Sequence, residues 1–332
     1  MNRPTVHIRV EVADALVRPS QLLVVKHAQY SYGVDAKVGA TLGIALPDLP
    51  LPGAHLVVLP RGSIAAECVI FLGVSGLAQF DYRAIREFGR RAVSLPHRLG
   101  MEISEICVTL HGPGFGLDEA ESFDSEVAGI VEAVSARETS PDLREVTFLE
   151  RDPRRAERMD RLLTALLPDR RVEPAATDTD ARGREKRDRL RTVGVDSGAR
   201  SHAFVAMPFD ENFDDHFYYG IAPSVRACGM LCERMDELAF VGDVVERLKD
   251  RIAKAKFVVA DVTGANPNVY LEVGFAWGCG VPTVLVCRDA SDLKFDIKGQ
   301  RCITYTSIRD LETKLSREVA ELFGSSADLR YR

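Results

Sequence analysis

Residues 257–276 read FVVADVTGANPNVYLEVGFA, and this stretch decides the fold class. A short apolar, β-branched run ends in Asp261, is punctuated by Gly264 and Pro267, and gives way to a segment with helical spacing. The pattern predicts a strand over Phe257–Asp261, a turn through Thr-Gly-Ala-Asn-Pro-Asn, and a helix over Val269–Gly278. In an open α/β sheet the carboxyl ends of such strands frame the crevice that takes ligands. Asp261 falls at that end, and Glu272 falls one turn into the helix if Asn268 is the N-cap. A capping box would place its acid at Leu271, so capping does not account for Glu272. The peptide dipoles at a helix amino terminus favour an ionised carboxylate, suited to stabilise a cationic sugar or attack its anomeric carbon. The competing reading is a buried ion pair between Glu272 and Arg234. The small Gly274 and Ala276 let a ligand or a strand come close.

Outward from this stretch, residues 201–326 alternate strand and helix. Strands are expected over Ala203–Pro208, Met230–Arg234, Thr283–Cys287 and Cys302–Tyr305, and helices over Phe213–Cys228, Gly242–Ala255 and Ile308–Phe323. Right-handed crossovers then require a parallel sheet. A Rossmann-like domain in flavodoxin order is expected. The strands deliver Met207-Pro208-Phe209-Asp210, Arg234-Met235-Asp236-Glu237 and Asp261-Val262-Thr263-Gly264 to one rim. Met207, Pro208, Phe209, Asp210, Asp236, Thr263, Gly264, Asn268 and Tyr270 are therefore candidate substrate-binding residues. Asp261 serves equally well as a turn residue satisfying the amides of Thr263 and Gly264, and Asp210 as the start of a helix. Phe209 and Tyr270 either stack on a base or pack.

Residues 1–168 carry a less regular alternation that points to a mixed sheet covered by helices. Strands are expected over His7–Val12, Leu22–Lys26, His55–Leu59, Glu67–Leu72, Glu105–Thr109 and Glu145–Leu149. Helices are expected over Asp81–Leu95, Ser122–Ala136 and Pro153–Leu166, while the glycine-containing segment Tyr30–Gly43 has no assigned element. The span 169–200 is charged and poor in large apolar side chains, which predicts a flexible linker. The loop His111-Gly112-Pro113-Gly114-Phe115-Gly116 lies between a strand and a helix, where backbone amides cradle phosphates or simply connect the two.

A chain of 332 residues suits about two domains. A net charge of −6 gives no general attraction to nucleic acid or to a membrane surface, and no run reaches a membrane-spanning length. The seven cysteines are scattered without a CxxC pair, which reads as buried thiols of a reducing cytoplasm. The seven histidines show no metal-ligand spacing, so no metal is expected.

The segments AFVAMPFDENFDDHF, CERMDE, IAKAKFVVADVTGANPNVYLEVGFAWGCGVPTVLV and FDIKGQRCITY resemble the nucleoside 2-deoxyribosyltransferase-like group, which is related to TIR-like domains of bacterial defence proteins. The resemblance implies a catalytic domain acting on N-glycosidic bonds in nucleosides or in NAD. It implies that Glu272 is the catalytic carboxylate and that Asp261 holds the ribosyl hydroxyls. The first-strand loop, MPFDENFDD, is more acidic than the base-binding loop of true transferases, which argues against simple deoxyribosyl exchange. In the amino-terminal part, LLVVKHAQYSYGVDAKVG, EICVTLHGPGFGLDEAESFDSEVAGIVEAV and REVTFLERDPRRAERMDRLL resemble macro domains and the macro-like domain of leucyl aminopeptidases. That implies an ADP-ribose-like nucleotide held by Gly33, Val34, Asp35, His111, Gly112, Gly114, Phe115 and Gly116. Lys26-His27-Ala28-Gln29 stands where catalytic macro domains carry an asparagine-rich loop, so binding without hydrolysis is expected. Together the resemblances imply a sensor joined to an effector. It would be an NADase of bacterial antiphage defence, working as a homo-oligomer with NAD as substrate rather than cofactor. The alternatives are a nucleoside ribosyltransferase or N-ribohydrolase and a non-catalytic nucleotide-binding module.

Overall fold

Two α/β units make up the computed structural model of the chain: Met1–Gly112 with Glu119–Gly198, and Pro113–Asp118 with Ala199–Arg332. The described residues are 3–29, 33–76, 79–174, 190–235, 243–289, 291 and 300–324.

The first unit holds a seven-stranded sheet. Its strands are β1 (Val6–Val12), β2 (Ser20–His27), β3 (His55–Val58), β4 (Ala66–Gly73), β5 (Glu105–Val108), β6 (Glu145–Glu150) and β7 (Arg171–Val172). Their order is β3-β4-β2-β5-β6-β1-β7. The interior pairs are parallel, whereas β3 and β7 at the two edges run antiparallel to their neighbours. Leu22, Leu23, Val24 and Val25 of β2 are all fully buried, as expected of a strand covered on both faces. Leu23, Val25, Val69 and Phe71 pack with Val38 of helix α1 (Gly33–Thr41). Leu22, Val24 and Ile70 alternate with them, so they point to the opposite face. The other helices are α2 (Tyr82–Arg98), α3 (Glu119–Ser135) and α4 (Pro153–Leu166). Helices α2 and α3 meet backbone to backbone: a Cβ added at Gly89 would lie 2.2 Å from the Glu126 carbonyl oxygen, and one at Gly129 would lie 1.9 Å from that of Arg86.

The second unit holds an all-parallel sheet of β8 (His202–Ala206), β9 (Leu231–Arg234), β10 (Phe257–Asp261), β11 (Thr283–Cys287) and β12 (Cys302–Thr304), in the order β12-β11-β10-β8-β9. This is the expected flavodoxin order, and the chain reverses direction across the sheet between β8 and β10, where ligands bind in such folds. Its helices are α5 (Glu211–Asp215), a π-helical turn (His216–Ile221), α6 (Ala222–Arg226), α7 (Asp243–Lys254), α8 (Pro267–Gly278) and α9 (Ile308–Phe323). Phe217, Ile221 and Val225 share a core with Leu311, Leu315 and Val319 of α9.

Three details differ from the sequence reading. The segment Tyr30–Gly43, which had no assigned element, carries α1. Helix α8 starts two residues earlier than expected, because Asn266 is the N-cap and Pro267 takes the first helical position, where its missing amide costs nothing. Residues at both ends of the expected linker, up to Gly198, belong to the first unit: β7 pairs with β1, and Leu190 and Ser197 are buried. The guanidinium of Arg86 donates to the Leu190 carbonyl at 2.6 Å and also to that of Val193. Residues 175–189 of that span lie outside the described residues.

Candidate functional site

The carboxyl edge of the second sheet brings together residues from all five strands. Asp261, at the end of β10, is fully buried. One carboxylate oxygen accepts from the Thr263 amide at 3.1 Å, and the other accepts from the Tyr305 hydroxyl at 2.7 Å. The carboxylate thus fixes the turn after β10 to the residue that follows β12. Burial, and then the charge of Asp261, push the Tyr305 hydroxyl up, so it stays protonated and donating.

Glu272 is on α8, six residues past the N-cap and so about 9 Å along the helix. That places it deeper than the expected first turn, beyond the reach of the terminal dipole. Its side chain is turned inward, with a residue exposure of 6%. Among the described residues it has no hydrogen-bond or ion-pair partner, and burial alone pushes its carboxyl up to about 8. The expectation of an ionised carboxylate is therefore corrected: in the ligand-free protein Glu272 is mostly protonated at neutral pH. The competing pair with Arg234 does not form. Arg234 donates to Asp214 at 3.0 Å and to the Met207 sulfur at 3.7 Å, and its guanidinium lies over the Phe217 ring at 4.4 Å.

The remaining rim residues divide between packing and exposure. Met207 and Pro208 are buried, and Phe209 and Tyr270 are half-buried. Asp210 is exposed and caps α5, accepting from the Asn212 amide at 2.8 Å. Gly264 adopts a left-handed φ of 72°, which suits the turn. Asn268 is exposed, and its amide donates to the Asn266 side chain at 2.9 Å. Asp236 lies outside the described residues.

Three residues join this edge that the sequence reading did not single out: Tyr305, Arg288 and His216. Tyr305 and Arg288 follow β12 and β11, so asking what those two strands deliver to the rim would have found both. His216 sits in the π-helical turn, which no local pattern announces. Its Nδ1–H donates to the Asn212 carbonyl at 3.1 Å, leaving Nε2 to accept from Arg288 at 2.8 Å. Burial and then Arg288 hold the imidazole below its usual range, which keeps it neutral for that role.

In the first unit, Lys26 and His27 end β2, His111 follows β5, and Asp35 lies in the first turn of α1. Asp35 is 1% exposed, and among the described residues neither of its oxygens has a hydrogen-bond partner. Its nearest cations are the Lys26 ammonium at 3.9 Å and, when protonated, the His27 ring at 3.6 Å. Gly33 is exposed and Val34 half-buried beside it. His111 is buried edge-on against Phe88, with ring centroids 4.7 Å apart, and burial holds it well below its usual range. Glu126 of α3 is also fully buried, and burial keeps it protonated.

The expected nucleotide-binding set is divided between the two units. Gly33, Val34, Asp35, His111 and Gly112 belong to the first unit, whereas Gly114, Phe115 and Gly116 belong to the second. There, Gly114 and Phe115 bridge to Met235, and the Gly116 amide donates to the Arg234 carbonyl at 3.2 Å. That amide is committed to the strand end and not presented to a phosphate. Asp118 closes the segment. It accepts two bonds from Arg226, at 3.0 and 2.9 Å, and one from the Cys232 amide at 2.9 Å.

Among the described residues no three His, Cys, Asp or Glu side chains gather as a metal site, and no helix is long and apolar enough to cross a membrane. No protein-family model matches the chain, and no curated protein matches it. Among solved structures it is similar to the Oceanobacillus iheyensis macrodomain with MES bound, at 14% identity and a TM-score of 0.39, covering 48% of this chain and 91% of that one. A glycine-to-valine mutant of that macrodomain with ADPR gives 15% identity and a TM-score of 0.39, covering 48% of this chain and 93% of that one. Both are macrodomains, the kind of domain that the amino-terminal segments resemble. At this identity and score the likeness fixes no ligand and no activity for this chain.

Proposed function

We propose that the second unit cleaves an N-glycosidic bond, with NAD as the favoured substrate and Glu272 as the acting carboxylate. The observation that carries this reading is a buried carboxyl without a partner among the described residues, on the helix that leaves the carboxyl end of β10. A carboxyl pushed up to about 8 by burial alone is sensitive to any cation placed beside it. Nicotinamide in NAD is already cationic, so its arrival favours the ionised form of Glu272. As the ribose–nitrogen bond breaks, its electron pair neutralises the pyridinium and positive charge moves to the pentose. The Glu272 carboxylate then stabilises that charge or bonds to the anomeric carbon, and water completes hydrolysis with loss of a proton. Asp261 acts through Tyr305 and the Thr263 turn, as a positioning residue.

The same protonated carboxyl favours a second reading. Facing a neutral base, Glu272 would donate a proton to it, as a nucleoside N-ribohydrolase or transferase requires. The pH dependence separates the two readings: NAD cleavage rises as pH passes through about 8, whereas general-acid cleavage of a nucleoside falls there.

In the first unit, the two unsatisfied oxygens of Asp35 call for hydrogen-bond donors, such as the hydroxyls or amine of an ADP-ribose-like nucleotide. We read this unit as the regulator of the second. The roles as antiphage effector and as homo-oligomer rest on the TIR-like resemblance of the carboxyl-terminal segments. The test is incubation of the purified protein with NAD and a nucleoside panel, with and without ADP-ribose. The expected result is nicotinamide release that requires the nucleotide and is lost in Glu272→Gln and in Asp35→Ala. Release by Glu272→Gln at the wild-type rate would overturn the reading.

A further inference from the structure

Arg288 is a cation at the carboxyl edge of the second sheet that the glycosidic reading leaves unused. It follows β11 and is exposed, and among the described residues no carboxylate pairs with it. Four acids of the same edge have partners of their own. Asp261 is taken by Thr263 and Tyr305, Asp214 pairs with Arg234, Asp210 caps α5, and Asp289 accepts from the Ser291 amide at 2.8 Å.

The guanidinium is nevertheless held in place. It donates to the neutral Nε2 of His216 at 2.8 Å and lies over the Phe213 ring at 5.3 Å, while its own backbone amide donates to the Thr263 hydroxyl at 3.0 Å. A long cationic side chain normally loses rotamer entropy when it binds an anion, and here much of that loss is already incurred. Its backbone is tied through Thr263 to the turn that leads into α8. A fork of guanidinium donors held at the carboxyl edge of the sheet recognises phosphate or pyrophosphate.

We infer that Arg288 is the phosphate anchor of the second unit, selecting phosphorylated substrates, nucleotides and dinucleotides, over free nucleosides. His216 and Phe213 are its positioning residues. The inference rests on the glycosidic reading for the word substrate, but the anchor itself can be measured without turnover.

The experiment titrates NAD, nicotinamide riboside and inorganic pyrophosphate calorimetrically into Glu272→Gln and into Glu272→Gln with Arg288→Gln. Thermal melts confirm that both are folded, and Arg288→Lys serves as the charge-conserving control. Loss of Arg288 is expected to weaken NAD and pyrophosphate by roughly 10- to 100-fold and to leave nicotinamide riboside unchanged, as suits charge-assisted hydrogen bonds to one anionic group. The lysine variant is expected to recover part of the affinity. Equal NAD and pyrophosphate affinity with and without Arg288, equal loss for the nucleoside, or no binding of either phosphorylated probe would overturn the inference. Arg288-dependent pyrophosphate binding in a protein whose wild type releases no base would sink the glycosidic reading and leave the anchor standing.

Discussion

Glu272 loses more to burial than its helix returns. Its carboxyl is six residues past the N-cap, where the dipole has faded, and no donor meets it. In the unfolded chain it ionises near 4.5, whereas in the fold it ionises near 8. Between those values the native state holds a proton that the unfolded state has lost, so stability falls as pH rises through that window. Glu272→Gln keeps the shape without the charge. It is expected to raise stability at pH 8 by a few kcal/mol and to flatten the decline between pH 5 and 8, read by urea denaturation across pH. An unchanged pH dependence would mean that Glu272 is not the buried acid described. Its singularity was legible in the sequence, because the capping position fell on Leu271 under the first reading and falls on Val269 under the observed cap. Its protonation state was not legible, since it depends on what α8 packs against. The same limit applies to Asp261. The strand-end rule located it, but its partner Tyr305 lies 44 residues away in sequence.

At the scale of elements, periodicity and turn residues carried most of the information. The strands of the second unit and their parallel pairing followed from alternation and right-handed crossovers. What escaped were features set by contact. Helix α2 was expected to stop at Leu95, before Pro96, but it continues to Arg98. Proline carries a helical φ of its own, and so near the end it removes one hydrogen bond without breaking the turn. Strand β7 is two residues long and exists only by pairing with β1. The close approach of α2 and α3 makes a firm prediction: Gly129→Ala forces the two backbones apart and is expected to cost about 1–3 kcal/mol or more in denaturant unfolding. Wild-type stability in that variant would contradict the packing described. Asp118 offers a second test. At 2% exposure, with a two-pronged bond to Arg226, its replacement by alanine removes both of those bonds and takes the acceptor from the Cys232 amide. The expected loss is roughly 3–5 kcal/mol, read as a lowered denaturation midpoint.

For the whole molecule, the consequential fact is that the second unit is discontinuous in sequence. Residues Pro113–Asp118 belong to it, although the chain on either side belongs to the first unit. The glycine spacing of that loop was conspicuous, but a glycine-rich turn looks alike whether it holds a phosphate or pairs with a strand. A truncation that removes residues 1–168 therefore removes part of the second unit along with the first. It also strips β9 and Met235 of Gly116 and Asp118. A fragment spanning 199–332 is expected to melt at lower temperature than the same unit in the full chain, by several degrees in calorimetry. An identical transition would show that the segment adds nothing. Loss of activity in such a fragment should accordingly not be taken as loss of regulation.

The account as a whole depends on a carboxyl that burial keeps neutral until a cation arrives. The most direct measurement is the infrared absorption of the protonated carboxyl, taken as the difference between wild type and Glu272→Gln and followed across pH with and without NAD. The account predicts a band that titrates near pH 8 in the free protein and weakens at pH 7 when NAD is added. A band already gone by pH 5, or one indifferent to NAD, would contradict it.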